Sequence, residues 1–334
     1  MPASIRDVAR KAGVSPATVS KALNGTGSVS EERIRAIKQV ARELNYQPNA
    51  RARSFARKET KQIVFLADFP YDAAFVNPHL FEIMRGVQHA LDKRSYSLVM
   101  KQADKKTALA FTEQSFAQKM ADGIVYHASV MTKPLAALVA RLGIAHIVIG
   151  HPNFENRLCW IDTDNCLSGE LAAKHLIERG YTKIAFLSGR PDDMISWNRL
   201  RGARLMLEEH GLELENELVL QSNSTIADGL RAAKKLLKMK ERPQAVICAN
   251  NLLAMGFMQG IQARGVHVPK DMALVSFDTY PFSLCLEPPL TVVDINMYDM
   301  GQEAGRLILQ KIRHPGTQVQ SYSTIPVLMQ RGST

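Results

Sequence analysis

Two sets of side chains in this 334-residue sequence are spaced for chemistry. The first lies within the opening 24 residues. Over PATVSKALN, Pro16, Ala17, Ser20, Lys21 and Asn24 fall on one helical face, and Val19 and Leu23 on the other. A small, polar and basic outward face can come close to base-pair edges and hydrogen-bond to them. Ser4, Ser15 and Thr18 add hydroxyls at helix starts and complete a candidate DNA-contacting set. The second set stands at the ends of apolar, β-branched runs: Asp68, His127, Gly150, Ser188–Arg190, Asn250 and Asp278. In open parallel sheets, ligands bind beyond the carboxyl ends of the strands, so these residues are expected to face a cleft. Asn250 offers both a donor and an acceptor, which suits a ligand rich in hydroxyls.

The first set needs three short helices to carry it. Ser4, with Asp7 three residues on, reads as a capping box. Ile5, Val8, Ala9 and Ala12 then form an apolar stripe, and Gly13 suits a left-handed helix end. Ser15 caps a second helix that opens on Pro16, where no amide donor is required. Ser30 caps a third, with Ile34, Ile37, Ala41 and Leu44 turned inward. Three such helices with one exposed polar face describe a helix-turn-helix. From Lys61 onward, strand-like runs at 62–68, 95–101, 123–128, 144–150, 182–189, 244–250 and 271–278 alternate with amphipathic stretches, among them 78–93, 167–179, 199–210, 226–238 and 252–264. That alternation predicts parallel sheets covered on both faces, and too many strands for one sheet, hence two doubly wound halves.

Charge separates the two regions. Residues 1–60 hold twelve Lys and Arg against five Asp and Glu, a surplus of seven in a chain whose total is +10. Positive charge is thus concentrated where phosphates would be met. No apolar run reaches the ~20 residues that span a bilayer, and no basic head with an apolar stretch marks a signal peptide. Cys159, Cys166, Cys248 and Cys285 lack metal-ligand spacing and fit reduced thiols in a cytoplasmic protein. No strand runs into a phosphate loop or a nucleophile elbow; Gly25 and Gly27 follow a helix instead. The sequence therefore points away from an enzyme and calls for no cofactor and no metal.

The stretches IRDVARKAGVSPATVSKALNG and ELNYQPNARARSFA, then WIDTDN, the Arg199-Leu-Arg-Gly202 pattern, CANN and VSFD, together resemble the LacI/GalR family of bacterial transcription regulators over nearly the whole chain. The resemblance implies a helix-turn-helix domain at 1–48, a hinge helix at 49–60 and a core like periplasmic sugar-binding proteins at 61–334. It splits the core into subdomains of about 61–161 with 292–320 and about 162–291 with 321–334. Crossovers between them are expected near Trp160–Asp162, Leu290–Asp294 and Gln318–Ser321. It also implies that Asn49 caps the hinge helix, that Arg51 and Arg53 meet phosphates, and that Phe55 stands where the family usually has Leu, as the wedge that enters the minor groove. In the core, Arg199 matches the family arginine that grips the effector and Asp278 the aspartate that accepts from sugar hydroxyls. Where the family often has Asn-Asp, this chain has Asn250-Asn251. Trp197, two residues before Arg199, is a candidate for stacking on a sugar face.

These readings converge on a ligand-responsive, sequence-specific DNA-binding regulator, in the first place a repressor of carbohydrate-utilisation genes. Its expected partners are a pseudo-palindromic double-stranded operator, a sugar, sugar acid or sugar phosphate, and a second copy of itself. The alternatives are an activator with the same apparatus and a doubly wound sugar-converting enzyme. The hinge reading has a direct test. Phe55→Ala is expected to weaken operator binding far more than binding to random DNA, because a wedge serves only the bent complex. Arg51→Ala and Arg53→Ala are expected to lower the salt dependence of binding on both. Equal losses on operator and random DNA for Phe55→Ala would remove the wedge.

Overall fold

The computed structural model describes residues 3–25, 29–46, 59–69, 78–152, 154–191, 193–279, 281–316 and 321–334. The chain divides into two compact units, one of residues 1–62 with 115–122, the other of 63–114 with 123–334.

The first unit holds α1 (Ile5–Ala12), α2 (Pro16–Asn24) and α3 (Glu31–Glu43). Val8, Ala9, Val19, Ala22, Ile37 and Ala41 are its buried centre. Leu23, Ile34 and Leu44, expected inside, are only partly buried and pack around that centre, while the smaller Ala22 takes the inner place on α2. Ser30 occupies the N-cap position of α3 but makes no side-chain capping bond. Farther along, the Asp122 carboxylate accepts from the Thr60 amide at 2.7 Å, the Thr60 hydroxyl at 2.9 Å and the Lys61 amide at 3.0 Å. This fixes the chain where it leaves the 49–60 segment.

The second unit is two α/β lobes. The first lobe contains β1 (Gln62–Ala67), α4 (Pro78–Asp92), β2 (Ser97–Gln102), α5 (Thr107–Ala117), β3 (Gly123–His127), α6 (Lys133–Leu142), β4 (His146–Ile149) and β5 (Trp160–Thr163). The second contains α7 (Asn165–Glu178), β6 (Ile184–Ser188), α8 (Met194–Glu209), β7 (Val219–Gln221), α9 (Ile226–Leu236), β8 (Ala245–Cys248), α10 (Asn251–Gln262), β9 (Ala273–Phe277), α11 (Pro281–Cys285) and β10 (Thr291–Asp294). Then α12 (Met297–Arg313) returns to pack on α4, followed by β11 (Tyr322–Thr324) and β12 (Val327–Met329). The sheet orders are β11-β5-β4-β3-β1-β2 and β12-β10-β9-β8-β6-β7. β3 pairs in parallel with β1 and β4, β5 with β4 and β11, β6 with β7 and β8, and β9 with β8 and β10, whereas β12 runs antiparallel to β10. The central strands are apolar and buried along their length, Ile184–Ser188 and Ala273–Phe277 for instance, as parallel strands covered on both faces must be.

The crossovers lie a few residues past their expected positions. Trp160–Thr163 is still a strand of the first sheet, so the chain crosses at Asp164. Thr291–Asp294 is a strand of the second sheet, and the return comes at Ile295–Asn296. The third passage is Ile325–Pro326, between β11 in the first sheet and β12 in the second. The boundaries expected at 161/162, 291/292 and 320/321 each move for one reason: the last residues before a crossing gain ladder hydrogen bonds by staying in the sheet. Of the Gln318–Ser321 expectation, residues 318–320 lie outside the described residues.

Three helix pairs are drawn together at glycines, α4 with α12, α7 with α8 and α9 with α10, and the second of them carries Arg199. A Cβ on Gly169 of α7 would lie 1.9 Å from the Arg199 carbonyl oxygen, and one on Gly202 of α8 would lie 1.9 Å from that of Cys166. The two backbones therefore meet face to face where Arg199 leaves α8. Gly202→Ala is expected to push the helices apart at an overpacking cost of about 1–3 kcal/mol. Its thermal midpoint should fall by several degrees in a melt followed by circular dichroism. An unchanged midpoint would mean that the two helices can part by a methyl group at no cost.

Candidate functional site

On α1, the Asp7 carboxylate accepts from the Ser4 amide at 2.9 Å and the Ser4 hydroxyl at 2.7 Å. The Ser4 hydroxyl, the Ser4 amide and the nearby Arg10 charge hold the carboxyl below its ordinary range. Gly13 turns the chain at φ 64°, and Ser15 Oγ then accepts from the Thr18 amide at 3.2 Å to start α2. The Ser15 and Thr18 hydroxyls also pair with each other at 2.9 Å, so both are spoken for by the helix start. Lys11 and Glu43, 2.8 Å apart, tie α1 to α3. With Val19 and Ala22 buried beneath, Pro16, Ala17 and Lys21 are left exposed together. Ser20 and Asn24 are half-buried and linked, the Asn24 amide donating to Ser20 Oγ at 3.2 Å. Asn49, Arg51, Arg53 and Phe55 lie outside the described residues.

The second site lies between the lobes. In the C-terminal lobe, Asp193 starts α8 by accepting from the amides of Ile195 and Ser196. Ser196 Oγ in turn accepts from the Gly189 amide at 2.7 Å and pairs with Ser188 Oγ at 2.9 Å, which pins the end of β6 to the helix. One turn on, Arg199 points into the lobe and is buried. Its Nε donates to Asn165 Oδ1 at 3.1 Å and its Nη1 to the Ala249 carbonyl at 2.7 Å. Its guanidinium lies 4.2 Å above the Phe277 ring, and Nη2 stands 3.8 Å from Asp278 Oδ1.

Asp278 follows β9 in the left-handed region, at φ 73°. Its amide donates to Val293 O at 2.9 Å and its carbonyl accepts from Asn251 Nδ2 at 3.1 Å. The backbone is thus fastened on both sides, while both carboxylate oxygens are buried and accept no hydrogen bond among the described residues. From the other lobe, His79 of α4 brings Nε2 to 3.4 Å from Asp278 Oδ2. Burial holds the His79 imidazole below its usual pKa, against the pull of Asp278 and with a push from Arg199. Burial, and next the charge of His79, takes His127 down to about 4, so it stays neutral. Asp162, accepting from the His151 amide at 2.9 Å and the Thr163 amide at 2.8 Å, is raised by burial despite those bonds.

The structure sets Asp278 beside Arg199 and His79, with His127 close enough to feel the latter; Trp197 lies on another face, and Asn250 and Asp68 each carry a local bond. Trp197 is 47% exposed on the opposite side of α8, beside Arg201 at 5.9 Å, because two residues along a helix turn the side chain by 200°. Asn250 spends its oxygen as the N-cap of α10, accepting from the Leu253 amide at 3.0 Å. Asp68 is exposed, with its amide on Ser129 Oγ at 3.3 Å, and Ser129 in turn pairs with His127 Nδ1 at 2.8 Å. Sequence reasoning missed His79, Asn165 and Asn251. The signal for Asn165 was present in the TDN that follows β5, and Asn251 in the doubled asparagine. Nothing local marked His79, which comes from the far lobe.

Comparison with known proteins gives a consistent set. A family model described as bacterial regulatory proteins, lacI family, matches residues 4–49, and one for a periplasmic binding protein-like domain matches 173–334. The chain is 30% identical over 333 residues to the ribose operon repressor of Escherichia coli K12, covering 99% of each. It is 31% identical over 332 residues to the transcriptional repressor PurR of Haemophilus influenzae PittEE, covering 97% of this chain and 96% of that one. Among solved structures, a CelR–cellobiose complex aligns over 99% of this chain and 100% of its own at TM-score 0.74 and 27% identity. A lac repressor dimer bound to operator aligns over 100% and 99% at TM-score 0.85 and 22% identity, a likeness of fold.

The buried ion pair yields a stability prediction. Arg199→Ala strands the Asp278 carboxylate without its countercharge and is expected to cost about 3–5 kcal/mol. Asp278→Asn likewise leaves the buried Arg199 charge without its partner, but with its bonds to Asn165 and Ala249 kept, and is expected at the lower end of that range, about 3 kcal/mol. The double variant is expected to regain part of the Arg199→Ala loss in urea unfolding. Strict additivity would show that the two charges do not feel each other.

Proposed function

The chain belongs to the LacI family of bacterial regulatory proteins, and from that premise we propose that it is the repressor of a carbohydrate-utilisation operon whose effector binds between Arg199 and Asp278. It is a ligand-responsive, DNA-binding transcription regulator with a helix-turn-helix and a periplasmic-binding-protein-like core. The observation that carries the finer reading is the Asp278 carboxylate: buried, fixed by its backbone, and with both oxygens unused. A pair of vicinal hydroxyls donating to that carboxylate, and accepting from the remaining Arg199 Nη2, would satisfy both groups at once. The named relatives support a sugar: one represses a ribose operon, and one solved neighbour holds cellobiose. Repression is favoured over activation because the named relatives are repressors.

The operator is read by Pro16, Ala17 and Lys21, the three residues left exposed on α2, with the hinge residues Arg51, Arg53 and Phe55 acting in the minor groove. A two-fold operator calls for a dimer. Phe81 on α4 and Val99 and Met100 on β2, all exposed, offer apolar surface for a second copy. The effector acts by touching both lobes, so its affinity differs between their relative orientations and shifts that equilibrium.

The test is a screen of pentoses, hexoses, disaccharides, sugar acids and sugar phosphates by thermal shift, in which a ligand at 100 times its dissociation constant adds about 2.7 kcal/mol. Operator affinity is then measured by fluorescence anisotropy with and without the hit. Asp278→Asn is expected to bind operator as the parent does and to lose the ligand response. A full response in that variant would move the effector elsewhere.

A further inference from the structure

A second, separate cavity lies on the outer side of the C-terminal lobe. It is about 910 Å³ in volume and runs along β7, the edge strand of its sheet, between α8 and α9. That volume is in the range of small-molecule sites. Its walls are unlike those of the cleft. On α8, Trp197, Arg201 and Arg204 follow one another at helical spacing on the face away from Arg199, and α9 adds Arg231 and Lys235.

Four cationic side chains therefore line the cavity against two carboxylates, Glu208 and Asp228. Asp228 is already committed. It accepts from the Thr225 hydroxyl at 2.7 Å and the Thr225 amide at 3.1 Å in a capping box, and it holds Arg231. Arg204 gives one nitrogen to Asn216 Oδ1 at 3.0 Å, but its Nε is buried and has no hydrogen-bond partner among the described residues. A buried guanidinium N–H left without an acceptor is costly, and an anionic oxygen would remove that cost. About two turns back along α8, Trp197 keeps nearly half its surface in water, with the Arg201 guanidinium 5.9 Å from the ring. An exposed indole beside a cation is a platform for a flat ring.

We propose that this cavity binds a nucleotide, with phosphate at Arg204, Arg201 and Lys235 and the base on Trp197. The phosphate supplies the acceptor that Arg204 Nε lacks, in bonds that are stronger for being charged on both sides. The base supplies the apolar cover that Trp197 lacks. Because α8 carries Arg199 on its inner side and Trp197 and Arg204 on its outer side, the two ligands would share one helix without touching.

The experiment is isothermal titration of the full chain with AMP, adenosine and inorganic phosphate separately. AMP is expected to bind at one site per chain. Adenosine and phosphate, each holding half of the recognition, should bind about tenfold or more weakly. Arg204→Gln should weaken AMP by about tenfold or more, the loss of one hydrogen bond to a charged group, and leave adenosine unaffected. Trp197→Ala should weaken AMP and adenosine by a similar factor, as for a lost base stack, and leave phosphate unaffected. Asp278→Asn should bind AMP as the parent does, and circular dichroism melts confirm that each variant is folded. No saturable AMP binding would overturn the proposal. So would AMP binding that survives both Arg204→Gln and Trp197→Ala, or AMP binding lost in Asp278→Asn, which would place it in the interlobe cleft.

Discussion

The C-terminal lobe is assembled around one buried contact, the guanidinium of Arg199 against the carboxylate of Asp278. Both side chains are at most 3% exposed, and their nearest N and O atoms are 3.8 Å apart. A buried pair that is not closely bonded recovers only part of its desolvation cost. Arg199 offsets that by bonding Asn165 and the Ala249 carbonyl and by lying on Phe277. Those partners come from α7, the end of β8 and the end of β9, so one side chain holds three elements in register. Asp278 has no such compensation at its carboxylate. Its backbone is tied in place and its oxygens are left waiting, and a structure with that arrangement gains most when something donates to them.

Arg199 on α8 reaches Asn165 on α7 because the two helices approach closely, and glycine at 169 and 202 leaves the room for it. In the N-terminal lobe, His127 is tied to Ser129 and Asp68 reaches the same serine through its amide. Those contacts close the loop ends on themselves. The residue that does reach across is His79, whose imidazole burial holds below its usual pKa against the pull of Asp278.

Much of this was legible in the sequence, for reasons that can be stated. Capping residues act locally, so Ser4, Gly13, Ser15 and Pro16 marked α1 and α2 without help from the fold. Buried parallel strands need continuous apolar runs, so β1, β3, β6, β8 and β9 stood out. The edge strands β7, β11 and β12 did not, because three residues with little burial carry no periodicity. Trp197 was misplaced by proximity to Arg199: nearness along a helix is not nearness in space. Asn250 shows how one amide can serve two purposes: its oxygen caps α10 by accepting from the Leu253 amide at 3.0 Å, a use that the sequence does not separate from ligand contact. His79 was out of reach of any local rule, since its meaning depends on a residue 199 positions away in the other lobe.

Asp122 clamps Thr60 and Lys61 with three hydrogen bonds and so fixes the backbone just ahead of β1. On the proposed function, a ligand would gain its leverage by bonding Asp278 in one lobe while displacing or recruiting His79 in the other. Its effect on DNA is limited to the difference between its affinities for the two lobe arrangements, and moving a population from mostly one to mostly the other takes about 5.5 kcal/mol of such difference. A carboxylate with two unused oxygens beside a partly used guanidinium can supply a large share of that through charge-assisted hydrogen bonds at ~1.5–3 kcal/mol each. On that reading, a ligand would draw its gain from the carboxylate oxygens of Asp278, which accept no hydrogen bond among the described residues; a carboxylate satisfied within the protein would leave it little.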